Sequence, residues 1–85
     1  MANRIDQPGF IQVGDFFESC SFHPCFCSAI DESGAHIEGI SLVNGHLHSC
    51  NVRHCGIRTL TTQEAISWRL LGPDDTELPV AERWW

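Results

Sequence analysis

One dipeptide, Asn44-Gly45, constrains the fold of this chain more than any other feature of its sequence. Apolar and polar residues alternate on both sides of it, over residues 35–43 and 46–50. An Asn-Gly pair between two such stretches is the strongest short-range signal for a β-hairpin, because both residues tolerate the positive φ of a type I′ turn. We therefore predict two antiparallel strands joined by a type I′ turn at this dipeptide.

Further strands are predicted on either side of this hairpin. Three stretches have the short alternating or apolar pattern of strands, and these are residues 10–20, 26–30 and 57–60. Pro24 cannot donate a ladder hydrogen bond, so it marks a loop, a strand start or an edge. Gly39 sits where the apolar positions of its strand change parity, which predicts a bulge or a strong bend.

A single longer helix is predicted after the last strand. Thr61 and Glu64 have the spacing of a capping box, and Gly72-Pro73 is typical of a helix end, so the helix should cover residues 62–71. One face of this helix would pack on the strands, with Trp68 and Leu71 toward its flanks. The residues on that face are Ala65, Ile66, Arg69 and Leu70.

These elements predict a mainly β fold, a small SH3-like or Tudor-like barrel of about five strands with one C-terminal helix. The alternative is an α+β arrangement, with a three- to four-stranded antiparallel sheet packed on the helix. At 85 residues the chain is one domain. We divide it into a loose lead-in (1–9), the folded domain (10–72) and an acidic tail that ends in Trp84-Trp85 (73–85).

The charge of the chain and its N-terminal segment indicate which partners and which compartment to expect. The net charge is −6, there is no lysine, and all five basic residues are arginine. Nucleic acid and anionic membranes are therefore unfavourable partners. No apolar signal-peptide core precedes the domain, which predicts a cytoplasmic protein. In a reducing compartment disulfides are not expected, so the five cysteines should be buried thiols, metal ligands or a reactive thiol.

The cysteines and histidines supply the ligand types of a zinc site. The candidate ligands are Cys25, Cys27, Cys50, His54 and Cys55. Their spacings are C-x-C and C-x4-C, whereas the familiar zinc sites use C-x2-C pairs. Two alternatives stay open at this point. The cysteines can be ordinary core residues, because free cysteine behaves as a small hydrophobe. A catalytic pair of Cys55 with His48 or His54 is the third possibility.

Residues 46–55 also predict a binding surface. If Leu47 faces the core, His46 and His48 face outward, because side chains alternate along a strand. The predicted binding residues are His46, His48, Arg53, His54, Trp84 and Trp85. We expect the two tryptophans to fold back onto the domain; otherwise they form a docking peptide or a dimer seam. The predicted role is a non-enzymatic module that binds a protein partner, with a possible homodimer and no required cofactor.

Three segments of the sequence resemble a set of small bacterial proteins of no established activity. The segments are "FHPCFC", "GISLVNG" and "SCNVRHCG". They are similar to a His-Pro-Cys segment, a Gly-Ile-Ser-Leu-x-x-Gly hairpin and a Ser-Cys-x-x-x-His-Cys-Gly close. The likeness covers about residues 14–68. It implies a bacterial, cytosolic β-domain and assigns no functional residue.

Overall fold

A computed structural model describes residues 4–5, 11–73 and 79–85, and these form one antiparallel sheet with two α-helices. The six strands are β1 (Arg4–Ile5), β2 (Phe16–Glu18), β3 (Pro24–Ile30), β4 (His36–Ser41), β5 (Leu47–Asn51) and β6 (Ile57–Leu60). Their order in the sheet is β1-β6-β2-β3-β4-β5. The helices are α1 (Val52–Cys55) and α2 (Thr62–Leu71), and a 3₁₀ turn covers Val80–Glu82.

The mainly β class with one longer helix is confirmed, and the sheet is open. The pairings run from β1 at one edge to β5 at the other, and no pairing joins these two strands in the described part of the chain. The bounds of β6 and α2 agree with the predicted 57–60 and 62–71. Strand β1 lies inside the segment predicted as a lead-in, and the rest of residues 1–10 lies outside the described residues.

The predicted hairpin is confirmed, but its turn is not type I′. Strands β4 and β5 pair in register from His36↔Asn51 to Ile40↔Leu47. Gly45 has a φ of 74°, whereas Phe22 is the one non-glycine residue with positive φ among those described. A longer loop forms because the Ser41 hydroxyl accepts hydrogen bonds from the loop amides of Val43 and Asn44 at 3.0 and 3.4 Å. These bonds favour a wider turn over the two-residue one.

The predicted bulge is present, but it lies on the neighbouring strand. The register between β3 and β4 shifts between Cys27 and Ala29, opposite Gly39 and Glu38. Gly39 has a different role, because a Cβ there would stand 2.6 Å from the ring of Phe17. The missing side chain thus makes room for a fully buried phenylalanine. This explains why the apolar positions of β4 change parity at Gly39: glycine occupies the core-facing position, and Ile40 faces the other side of the sheet.

Two apolar clusters form the core, one on each face of the sheet. The larger lies on the face of Phe17 and contains Ile11, Phe17, Cys25, Cys27, Ile37, Cys50, Val52 and Ile57. The smaller lies under α2 and contains Leu60, Ala65 and Trp68, with Phe16 packed against it. The domain therefore buries side chains on both faces, although α2 covers only part of the second face.

The capping box at the start of α2 is present, as predicted. The Thr61 amide donates to Glu64 Oε1 at 2.9 Å, and the Glu64 amide donates to Thr61 Oγ1 at 3.1 Å. Two of the free amides at the helix start are satisfied in this way, which fixes where the helix begins.

The packed face of α2 differs from the predicted one. Ala65 and Trp68 are buried, whereas Ile66 and Leu70 are exposed, so the predicted packing of these two residues is wrong. A hydrogen bond explains this difference. The Trp68 indole donates to the buried carboxylate of Glu18, which turns the Trp68 side of the helix toward the sheet.

Gly39→Ala should lower the free energy of unfolding by about 1–3 kcal/mol, as expected for overpacking a filled core. The new methyl group meets the Cε1 and Cζ atoms of Phe17. Urea denaturation measures the loss from the transition midpoint and slope. In a Phe17→Leu background the ring is gone, so the same glycine substitution should cost less. Equal costs in the two backgrounds would contradict this account of Gly39.

Candidate functional site

Strand β5 forms an edge of the sheet with unused backbone groups. The Ser41 amide donates to the His46 carbonyl, and the Val52 amide donates to the Ala35 carbonyl. Because hydrogen-bonded pairs alternate along an antiparallel ladder, His48 and Cys50 must bond to β4. The N–H and C=O groups of Leu47 and Ser49 therefore point away from the sheet. Among the described strands, only β4 pairs with β5.

A row of apolar side chains crosses the sheet and ends at this edge. Phe26, Ile40 and Leu47 are cross-strand neighbours on β3, β4 and β5, and their side chains share one face. They are 38%, 37% and 58% exposed. At the other end, the ring of Phe26 meets the ring of Phe16 at a centroid distance of 5.8 Å. The row thus begins beneath α2 and runs out from it to the free edge of the sheet.

The orientation of β5 is the reverse of the predicted one. Leu47 was predicted to face the core, but it is exposed and the prediction is wrong. Cys50 is 3% exposed and His48 is half-buried, so these two side chains share the face of the larger cluster. The register explains this, because His48 stands opposite Gly39, a residue of the core face that lies against the ring of Phe17. His46 precedes the strand and is exposed.

The predicted basic residues lie at the two ends of the β5 edge. His46 is exposed just before the strand, and Arg53 and His54 are exposed in the helix that follows it. The Asn51 side chain caps this one-turn helix by accepting from the amides of Arg53 and His54 at 3.0 and 3.2 Å. The cap fixes where the helix starts. The structure therefore places three of the predicted binding residues beside the edge and turns His48 to the opposite face.

His48 instead forms a pair with His23, a residue outside the predicted site. The two ring centroids are 4.7 Å apart. His23 Nδ1 is 2.9 Å from Ser41 Oγ, and His48 Nδ1 is 3.2 Å from Ser19 Oγ. No sequence pattern indicates this cluster, because the hydrogen-bonded partners are 18 and 29 residues apart in the chain. Only the strand pairing brings them together.

The Ser41 hydroxyl assigns the tautomer of His23. Its oxygen already accepts from the amides of Val43 and Asn44, so both lone pairs are used. We therefore assign its hydrogen to the bond with His23 Nδ1, which places the proton of the neutral ring on Nε2. Burial, and second the neighbouring His48, lower the pKa of His23 below its usual value. Neutral imidazole is thus the form that this cluster accommodates.

The C-terminal tryptophans contact the domain, as expected. Trp84 Nε1 donates to the Phe22 carbonyl at 2.7 Å, and the indole meets the His23 ring at a centroid distance of 5.6 Å. Phe22 has a left-handed φ of 65° at the turn before β3. The Trp85 ring covers Gly72, where any side chain would collide with it. The end of the chain thereby packs against the turn that carries Phe22 and against the end of α2.

The cysteines fall into two groups. Cys25, Cys27 and Cys50 are free and buried, and burial raises the pKa of the Cys25 thiol to about 12. The side chain of Cys55 lies outside the described part. Cys20 is exposed and disulfide-bonded, which contradicts the expectation that no disulfide forms. Within residues 11–73 and 79–85, no three or more potential ligands are grouped so that they could hold a metal ion.

Comparison with known proteins adds no assignment: no protein-family model, curated protein or solved structure matches this chain. None of the helices in the ranges described above is long and apolar enough to cross a membrane.

Acidification should destabilise the protein through His23. Its pKa in the folded state is lowered, so between that value and about 6.5 the unfolded chain binds more protons. The free energy of unfolding therefore falls as the pH drops below about 6.5. His23→Asn offers a non-titrating side chain to Ser41 and should reduce this fall. Urea denaturation at about pH 5.5 and 7.5 measures it, and an unchanged pH dependence in the variant would refute the assignment.

Proposed function

We propose that this chain is a non-enzymatic protein-binding module that pairs an extended segment of a partner with the free edge of β5. The observation that carries the proposal is the coincidence of unused backbone groups with the apolar row that ends at Leu47. Extended peptides add to sheet edges in this way in several peptide-recognition domains. The backbone of the partner would supply hydrogen bonds, and its alternate side chains would lie on the row.

The hydrogen-bonding part of this interaction comes from the backbone of Leu47 and Ser49. Each bond contributes about 0.5–1.5 kcal/mol net, so a few of them give a weak interaction by themselves. Burial of the exposed row of Phe26, Ile40 and Leu47 adds about 25 cal/mol per Å² of apolar surface removed from water. An apolar residue facing Leu47 is therefore expected in the partner.

The side chains that flank the edge define the chemistry of the partner further. His46 is exposed at one end of the edge, and Arg53 and His54 at the other. A segment with acidic residues next to its apolar residue would complement these side chains. The overall charge of −6 opposes a generally acidic partner, so the preferred ligand has acidic residues only where it passes the ends of β5.

The environments of one buried hydroxyl and one buried thiol support a non-enzymatic role. Ser41 is buried, and its hydroxyl accepts hydrogen bonds from two backbone amides, so this hydroxyl stabilises the turn. The Cys25 thiol is buried, and its pKa of about 12 leaves almost no thiolate near neutral pH. Each group thus lacks the access or the ionisation that a nucleophile requires.

We also propose an SH3-like relationship, the bacterial origin implied by the resemblance, a cytoplasmic location and a structural zinc. The disulfide at Cys20 weighs against a reducing compartment. Zinc is the second candidate, because the free cysteines Cys25 and Cys50 belong to the same buried cluster and thiols are zinc ligands. Metal analysis of the purified chain, with unfolding followed after chelation, tests it.

Ser49→Pro should weaken binding of an extended ligand, and Ser49→Ala should preserve it. Proline removes the outward N–H of Ser49 while the β4–β5 ladder bonds of His48 and Cys50 remain. Alanine removes only the hydroxyl. The probe is the tightest peptide selected from a random peptide library on the wild-type chain, and calorimetry gives its Kd. We expect at least about a tenfold weaker Kd for the proline variant, the equivalent of one or two lost hydrogen bonds.

Hydrogen exchange of the backbone amides directly measures binding at the β5 edge. The amides of Leu47 and Ser49 should gain protection when the peptide binds, because they acquire hydrogen-bond acceptors. Circular dichroism must show that both Ser49 variants are folded. Equal affinity of the proline and alanine variants, or selection of no peptide at all, would overturn the proposal. A wild-type dimer that the proline substitution dissociates would identify a second copy of the chain as the occupant instead.

A further inference from the structure

Three cysteine side chains lie close together near the end of β2. Cys20 lies in the turn after β2, is exposed and is disulfide-bonded. Cys50 lies on β5, is free and is 3% exposed. The two Sγ atoms are 3.6 Å apart. A free thiol thus stands in contact with a sulfur that already takes part in a disulfide. Cys25 lies near enough to Cys50 for the two thiols to interact electrostatically.

We propose that Cys20 exchanges disulfide partners, with Cys50 as the internal nucleophile. The Cys50 thiolate attacks the Cys20 Sγ atom, a new Cys20–Cys50 bond forms, and the bond from Cys20 to its present partner breaks. The bonding electron pair leaves with the sulfur of that partner, which takes up a proton. One disulfide and one thiol are present before and after the step. The exchange therefore needs neither an oxidant nor a reductant.

Proximity selects Cys50 over Cys25 and Cys27, which are the other free thiols among the cysteines that the structure describes. Cys50 Sγ already contacts Cys20 Sγ, and the pairing of β4 with β5 holds the strand that carries it. Cys25 and Cys27 direct their thiols to backbone carbonyls, of His23 at 3.5 Å and of Ala29 at 3.9 Å. An intramolecular attack from a held position avoids the entropy cost of bringing two groups together. Cys27 is therefore the matched control, because it is free and buried and its thiol is directed to a carbonyl of its own strand.

The environment of Cys50 sets the pH dependence of the exchange. Burial raises the pKa of this thiol, so only a small fraction is thiolate near neutral pH. Since the thiolate is the attacking species, the rate should rise about tenfold for each pH unit below that pKa. The exchange is thus slow near neutral pH and accelerates under alkaline conditions. This inference is independent of peptide binding at the β5 edge, which uses the opposite face of the strand.

The experiment follows disulfide linkage in the intact, oxidised chain without added thiol. Samples held at about pH 7, 8 and 9 span the rise in thiolate fraction. They are quenched in acid at intervals, and all free thiols are then blocked with a maleimide in denaturant. Cleavage after Arg and Glu places Cys20 in residues 19–32 and Cys50 in residues 39–53. A cross-linked pair of these two peptides reports the exchange, and fragmentation by mass spectrometry identifies the cysteine in residues 19–32.

A Cys20–Cys50 link that appears with time, and faster at higher pH, is the expected result. Cys50→Ser should abolish it, and Cys27→Ser should leave its rate within about twofold of wild type, because Cys27 takes no part in the exchange. If Cys50→Ser does not fold, Cys50→Ala provides the same test with an apolar side chain. A single unchanged linkage at every pH, a link from Cys25 or Cys27 to Cys50 in its place, or five blocked thiols at the start would each overturn the proposal.

Discussion

The buried carboxylate of Glu18 is the interaction on which the arrangement of the domain depends. Glu18 lies on β2 and is 2% exposed, so its charge must be compensated inside the protein. Trp68 Nε1 of α2 donates to one carboxylate oxygen, and Arg58 Nε of β6 lies 3.5 Å from the other. Three elements thus meet at one group. The helix is held on the half of the sheet formed by β6 and β2, and its rotation follows from the indole.

This placement of α2 explains the candidate binding site. A helix of ten residues covers one part of a six-stranded sheet. Phe16 is covered, whereas Ile40 and Leu47 on the far strands are not. The opposite face of those strands is filled by the larger cluster, where Gly39 admits the ring of Phe17. The edge strand therefore has one face in the core and one face open, and its outward backbone groups have no neighbouring strand among the described residues.

Local signals predicted the local elements well. The capping box of Thr61 and Glu64, the glycine after Leu71 and the Asn-Gly hairpin each depend on interactions within a few residues. The failures have a common cause. The packed face of α2, the direction of Leu47 and the pairing of His23 with His48 are each decided by a residue on another element. The sequence pattern around Leu47 alone cannot show the β4–β5 register that turns His48 and Cys50 toward the core face.

The sequence by itself determined the class of the fold, the position of the hairpin, and the start and end of the long helix. It did so because turn residues, caps and alternation act over a few residues of chain. Only the tertiary structure decided which face of β5 is buried, which side of α2 meets the sheet, and which thiol stands beside Cys20. Those choices depend on buried charge and on available volume, and both are properties of residues that are distant in the chain and adjacent in space.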